Sequence, residues 1–346
     1  MDPNTGEVLS LVSMPNYDPN LFVHCISLKN YRHLQNPYTR PLYNRALYGQ
    51  YPPGSTLKPF VGLAGLENKV IGHKEKIPCK GFYLLPNEER KYRDWKKIGH
   101  GDIDLDDSLA QSCDVYYYEL SYRLGIDRIH AFLQQFGFGK ATGVDILGER
   151  SGLLPSREWK QRSRNKIWFP GETLIAGIGQ GYMLTTPMQL ASATSILAMR
   201  GQGFKPHLVR EIHNPAGGEM QKIAPAPLPQ VELNRKSNWD HIVNGMVSVV
   251  HGARGTARAS GRHLKFKMAG KTGTAQVFGV AQDAEYDEDI IAKKHRDHAL
   301  FVAFAPEDKP EIAIAVIAEN GSSGSGVAAP MARKVLDAWI ANQEQK

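Results

Sequence analysis

The chain has 346 residues, 42% of them hydrophobic and 22% charged, an ordinary globular composition that excludes a disordered chain, a collagen and a coiled coil. Its formal charge of +7 is spread along the sequence, which favours an anionic neighbourhood without calling for nucleic acid. Three cysteines are too few and odd in number for a disulfide framework, and the longest apolar run, Ile312 to Ala318, is too short to cross a bilayer.

In chain order, Glu7 to Met14 reads as a strand after a Pro-Asn-Thr-Gly turn. Residues 16–50, rich in Asn, Tyr and Pro, read as irregular surface. Tyr51-Pro52-Pro53-Gly54 stops the chain, and a helix runs from Ser55 to about Asn68, with Pro59 near its start because proline lacks the N–H. Residues 72–104 are polar, aromatic and without helical period, so a long loop is expected. Leu105 to Phe136 predicts two helices. Residues 156–166 are densely basic and read as a solvated face. Gly177-Ile178-Gly179-Gln180-Gly181 precedes a helix over Thr186–Met199, and residues 214–232 form a Pro-rich loop. Lys265–Val277, His298–Ala305 and Ile312–Glu319 predict strands, and Met331–Asn342 a closing helix. The economical fold is α/β of the α+β type: a mainly antiparallel sheet from both chain ends, flanked by helices, with a helical part inserted. One domain is expected over residues 1–346, its sheet part at about 1–60 and 235–346 and its helical part at about 61–234.

Three short motifs occur in order: Ser55-Thr56-Leu57-Lys58, Ser112-Cys113-Asp114 and Lys271-Thr272-Gly273-Thr274. A serine hydroxyl is a poor nucleophile until a base removes its proton. Positions three apart share a helix face, so Lys58 is the candidate base for Ser55. It must be uncharged to act, and burial and a second cation, Lys271, both push that way. Ser112 can relay a proton to a leaving amine. Lys271 and Thr272 offer a cation and a hydroxyl to a substrate carboxylate, and Gly273 allows a close backbone approach. The N–H groups of Ser55 and Thr274 are candidates for an oxyanion hole. A second Ser-x-x-Lys, Ser163 to Lys166, sits in the basic stretch without apolar period and is read as surface. Lys271-Thr272 does not end a phosphate-binding loop, because the required first glycine falls at Lys265, and the Gly177–Gly181 stretch lacks the spacing of a dinucleotide site.

Cys79, Asp94, His100 and Cys113 form a second constellation, four donors of the kind a closed structural zinc site needs. Such an ion would tie the polar loop 72–104 to the second motif. His73, Asp102 and Asp104 are rival ligands, and a Cys79–Cys113 disulfide or two unlinked thiols are the alternatives. Cys25 reads as a small buried hydrophobe.

The three motifs together resemble the transpeptidase domain of the penicillin-binding protein 2 group, class B enzymes of the elongation machinery with a fold shared by serine β-lactamases. The resemblance runs from Asp2-Pro3 to Trp339. It includes Tyr51 to Phe60, Tyr92-Arg93-Asp94-Trp95, Ile178 to Gly181 and Ala269 to Phe278. It implies Ser55 as the acylated serine, Lys58 as its base, Ser112 in the second motif and Lys271 to Thr274 as the third. The wider family usually has Ser-x-Asn, and here the third place is Asp114. That carboxylate would favour a protonated Lys58, so it points elsewhere, pairs with a third group or is partly protonated.

The implied reaction crosslinks peptidoglycan stem peptides without a catalytic cofactor. Ser55 attacks the penultimate D-Ala carbonyl, the terminal D-Ala leaves, and an acceptor amine takes the acyl group. β-Lactam antibiotics imitate the donor. Class A β-lactamases add a Glu-x-x-Leu-Asn pattern for a deacylating water. Glu172 is the nearest candidate here and lacks the Leu-Asn. A DD-carboxypeptidase, a β-lactamase and a non-catalytic β-lactam sensor are the rival readings. The resemblance also implies a longer protein with a membrane helix and stalk, at the periplasmic face of the inner membrane beside a SEDS-type glycosyltransferase and scaffold proteins.

Overall fold

The computed structural model describes residues 1–23, 25–215, 217, 220–277 and 291–343. Helices α1 (Leu28–Leu34) and α2 (Arg45–Tyr48) interrupt the irregular start, and α3 (Lys58–Glu67) follows a single tight turn at Gly54–Leu57. The segment expected as a loop holds four three-residue strands, β1 (Ile77–Cys79), β2 (Phe82–Leu84), β3 (Lys91–Arg93) and β4 (Gly101–Ile103). They pair antiparallel as β1–β4 and β2–β3. Three helices follow rather than two: α4 (Leu105–Ala110), α5 (Asp114–Leu124) and α6 (Ile126–Gln134). Ser112 at φ +57° and Gly125 at φ +74° break the run. Beyond them lie α7 (Arg157–Arg164), α8 (Pro170–Gly177), α9 (Pro187–Ala198), the short pair β5 (Glu211–Ile212) and β6 (Gln221–Lys222), α10 (Ser237–His251) and α11 (Arg258–Gly261). The main sheet is β7 (Ala269–Ala275), β8 (His298–Ala305) and β9 (Ile312–Ala318), and α12 (Ala329–Gln343) closes the chain.

Local rules account for most of these elements. Thr186 caps α9 by accepting the Gln189 N–H, while the Gln189 side chain accepts the Thr186 N–H. Helix α10 buries Trp239, Ile242, Val243, Met246, Val249 and Val250, the three-and-four spacing of a core-facing stripe. In β8 the alternation of a strand divides two cores. Leu300, Val302 and Phe304 face the larger one, shared with α3, α5, α6 and α10. Ala299, Phe301, Ala303 and Ala305 face a smaller one beneath α12.

The sheet runs in the order β7-β8-β9, antiparallel throughout, with Lys271 opposite Val302 and Phe301 opposite Val316. Among the described strands β7 bonds only to β8, so its other edge is open. The segment Glu7–Met14 does not form the expected strand. Only Glu7 bridges, to His207, and Val12 and Met14 stand exposed, because no neighbouring strand lines up with them. Met1 instead pairs with Ala313 of β9. The basic stretch 156–166 is helix α7, and its Lys160 is buried rather than solvated. Cys25 is exposed at φ +66°, not a buried hydrophobe. Phe278 lies outside the described residues. No helix is long and apolar enough to cross a membrane among the described residues.

Candidate active site

Ser55 sits in the tight turn ahead of α3, and Pro59 occupies the first turn of that helix, where a missing N–H costs nothing. Gly54 adopts φ +52°, donates its N–H to Gly179 O at 2.8 Å, and lies so close to β7 that a Cβ there would stand 2.4 Å from Thr274 O. Gly179, at φ +73°, would put a Cβ 2.3 Å from Gly54 O. These two positions therefore require glycine. Gly273 has a related role: a Cβ there would meet Thr56 Cγ2 at 2.8 Å, so this glycine lets β7 lie flat against the serine turn. The neighbour that needs this space is the serine turn, not a ligand backbone.

Three elements converge beside the turn. Lys58, fully buried at the start of α3, donates from Nζ to Ser112 O at 2.8 Å, to Ser112 Oγ at 3.3 Å and to Asp114 Oδ1 at 2.7 Å. From the other side Lys271, fully buried on β7, donates from Nζ to Ser112 Oγ at 2.8 Å. The Ser112 hydroxyl thus bridges two lysine amines, and its backbone is held in the left-handed region to do so. Burial first, and the neighbouring Lys58 second, push Lys271 well below the ordinary lysine range. Asp114 does not point elsewhere as expected: its Oδ1 pairs directly with Lys58, in a salt bridge whose lysine side is wholly enclosed. Among the described residues Ser55 Oγ has no hydrogen bond, to Lys58 or any other group. The Thr272 hydroxyl bonds that of Thr256 at 2.8 Å, and Gln180 Nε2 donates to Thr274 O at 2.9 Å. Neither Thr256 nor Gln180 stands in a catalytic motif; only the Gly177–Gly181 stretch pointed near one of them.

The second cluster abuts the first. The ligand atoms of Cys79, Asp94, His100 and Cys113 all lie within 4.8 Å of one another. Cys113 Sγ is 3.3 Å from Asp94 Oδ2, Cys79 Sγ is 3.4 Å from His100 Nδ1, and His100 Nδ1 is 3.5 Å from Asp94 Oδ1. Four donors held about 2.0–2.3 Å from a zinc ion stand roughly 3.3–3.8 Å apart at the corners of a tetrahedron, so the donor types suit zinc and their spacing comes near that geometry. The two sulfurs are unlinked thiols. The Cys113 thiol donating to Cys79 lowers the latter to about 6, and burial raises Cys113 itself. The rivals are elsewhere: His73 bonds Asp106 and stacks on His241, and Asp104 caps α4.

Asp94 joins the two clusters. Its Oδ2 accepts the N–H groups of Asp114 at 2.8 Å and Val115 at 3.1 Å, at the positive start of α5. The N–H of Trp95 reaches Asp114 Oδ2 at 3.3 Å, and the Trp95 indole holds Gln111 O at 3.1 Å. Glu172 is not free for chemistry: both its oxygens take Lys160 Nζ, at 2.5 and 2.6 Å, and it accepts the Phe169 N–H at the head of α8.

Residues 1–337 match the family described as the penicillin-binding protein transpeptidase domain. A curated relative, the peptidoglycan D,D-transpeptidase MrdA of Acinetobacter baumannii, is 44% identical over 346 residues, covering 100% of this chain and 50% of its own. The chain spans about half the length of the curated relatives it matches. Pseudomonas aeruginosa PBP2, solved in complex with WCK 5153, is 49% identical with a TM-score of 0.87, covering 98% of this chain and 72% of that one. Helicobacter pylori PBP2, solved in complex with MreC, is 35% identical with a TM-score of 0.84, covering 98% and 59%.

Proposed function

The chain belongs to the penicillin-binding protein transpeptidase family, and from that premise we propose that it is the catalytic domain of a peptidoglycan D,D-transpeptidase working through an acyl-Ser55 intermediate. The observation that carries the reading is the convergence of two fully buried lysine amines on the one hydroxyl of Ser112, beside the Ser55 turn. At rest Lys58 has three acceptors, one of them the Asp114 carboxylate, so it is loaded as a donor. A substrate carboxylate at Lys271, Thr272 and Thr274 favours a charged Lys271. Lys58 then passes a proton to Ser112 Oγ, which hands its own to Lys271. The freed amine of Lys58 takes the Ser55 proton as Oγ attacks the penultimate D-Ala carbonyl carbon. The N–H groups of Ser55 and Thr274 receive the oxyanion. As the C–N bond breaks, that proton returns through Ser112 to the departing D-Ala amine. An acceptor amine then attacks the ester, and Ser55 regains its proton.

The domain is one unit whose sheet part carries Lys271 and whose helical part carries Ser112. Zinc at Cys79, Asp94, His100 and Cys113 would supply a structural crosslink from the loop to the head of α5, with no part in the proton path. Donor and acceptor stem peptides are the substrates, and β-lactams the covalent inhibitors. A scaffold of the MreC kind is a fitting partner, given the Helicobacter complex. A SEDS-type glycosyltransferase and the periplasmic membrane face complete the proposal.

The test is covalent. A fluorescent penicillin should label the protein, with an intact-mass adduct on the Ser55 peptide, and Ser55→Ala should abolish labelling; unchanged labelling would refute the assignment. Product analysis with a stem-peptide donor, with and without an acceptor amine, separates transpeptidase from carboxypeptidase and sensor. The engaged state of Glu172 speaks against a β-lactamase, which would release the adduct within seconds.

A further inference from the structure

The open edge of β7 presents main-chain groups to the cleft, and two of its carbonyls are already in use. Thr272 O accepts Lys271 Nζ at 3.2 Å, and Thr274 O, two residues on and so on the same edge, accepts Gln180 Nε2 at 2.9 Å. The two donors differ. The Lys271 amine is buried with the catalytic cluster, whereas Gln180 is part-exposed on a tightly pinned loop. The Gln180 N–H donates to Ile175 O at 3.0 Å, Gly179 O takes the Gly54 N–H, and Gly181 returns the chain at φ +71°. These bonds pin the loop backbone, so displacing the glutamine from Thr274 O requires only a turn of its side chain.

An extended peptide laid along β7 pairs with the same edge groups, as strands added to a sheet do. It needs Thr274 O for one of its N–H groups, and that oxygen is taken. We propose that Gln180 is a stand-in donor. In the free protein it occupies the acceptor that the donor peptide's own amide N–H takes over, and it must be displaced for binding. This rests on the acyl-serine reading above and adds a specificity residue to it. A ligand that brings an amide N–H replaces the bond it breaks. A ligand without one leaves Gln180 in place.

The rival role is a brace. Gly54 already packs against Thr274 O, and a glutamine clamp would hold β7 to the serine turn in every state. The two roles predict opposite signs. Second-order acylation rate constants are measured on the whole chain for benzylpenicillin, which carries an acylamino N–H, and imipenem, which carries a hydroxyethyl group instead. Gln180→Ala and Gln180→Met, the latter keeping the bulk without the donor, should each acylate about three to ten times faster with benzylpenicillin, the scale of one net hydrogen bond. Imipenem should change by less than about twofold on the same scale. Slower acylation by both probes would establish the brace and overturn the proposal. So would equal acceleration of both probes, no change in either, or acceleration in Gln180→Ala alone, which would assign the effect to bulk. If wild-type protein took no adduct from either probe, the acyl-serine reading itself would fall first and carry this proposal with it.

Discussion

The lysine cluster and the cysteine cluster meet at residues 112–114, yet they are held by different means. Lys58 and Lys271 reach Ser112 from 54 and 159 residues away. They arrive on α3, whose sides are buried from Lys58 to Leu66, and on β7, which lies flat against the serine turn. Apolar packing of both elements in the larger core positions them. In the other cluster Cys79 ends β1, Asp94 follows β3 and His100 precedes β4, all three-residue strands, while Cys113 caps the buried head of α5. Two of these donors also hold backbone: Asp94 accepts the Asp114 and Val115 N–H groups, and Cys113 that of Tyr116. A cluster built on a core can hold amines in an unfavourable state, as Lys271 is held, because the surrounding fold outweighs the cost. The second cluster shares that core through Cys79 and Cys113, and an ion there would add a crosslink from the short strand pairs to the head of α5.

The largest expected effect breaks the lysine side. Lys271 is pushed down by burial and by Lys58, so the relay is complete above its folded pKa and fails as pH falls through it. Acylation should therefore have an acid limb set by this group. Lys271→Arg keeps a cation for the substrate carboxylate but cannot accept a proton. It should lower the acylation rate constant by roughly 10²–10⁴-fold, the usual worth of a positioned acid or base, and remove the acid limb. Acylation within about tenfold of wild type, with the limb intact, would show that Lys271 serves only as a fixed charge.

The cysteine side should respond differently. Cys79→Ser removes one donor without touching the head of α5, which Cys113 caps by accepting the Tyr116 N–H. Zinc content by elemental analysis should drop from about one per chain to near zero. The melting temperature should fall by roughly 5 °C, and acylation by about tenfold, the scale on which supporting shells act on a neighbouring site. A chelator should lower the wild-type melting temperature and leave the variant's unchanged. Zinc-free wild-type protein that melts at the same temperature with chelator would end the metal reading and leave the cluster as two thiols sharing a proton.

The contrast also sorts what was legible in the sequence. The strands β8 and β9 were readable as apolar runs, α3 from the Pro-Pro-Gly stop and Pro59 at its start, and α9 from its capped start; Lys58 could be named from its spacing to Ser55, and Lys271 from the Lys-Thr-Gly motif. Partnership was not readable. Whether Asp114 met Lys58 depends on Trp95 and Asp94 reaching across from the loop, which no spacing encodes. Glu7–Met14 has strand-like residues but no strand beside it. β1 to β4 are three residues each, too short for a two-residue period to show. Helix α10 carries an apolar stripe that is legible in the sequence, although it is not among the expected elements. Gln180 sits between glycines that look like loop punctuation, and only the tertiary contact to Thr274 O gives it a role.

The smallest expected effect on chemistry sharpens the comparison with a third lysine. Lys160 and Glu172 form a salt bridge as short as that of Lys58 and Asp114, with the amine equally enclosed and 4.6 Å from the Phe169 ring centre. What differs is the surroundings: no serine or threonine hydroxyl bonds to this pair among the described residues, so it has nothing to activate. Glu172→Gln keeps an acceptor for Lys160 and for the Phe169 N–H but leaves a buried ammonium without its counter-charge. That should cost about 1–3 kcal/mol in urea unfolding. The lifetime of the penicillin adduct should stay within about twofold of wild type, because the carboxylate is spent on structure. An adduct that lives tenfold longer would make Glu172 a deacylating base. Enclosure and pairing of a lysine would then no longer separate a structural pair from a catalytic one, and the hydroxyl bridging two amines would lose its standing as the mark of the active site.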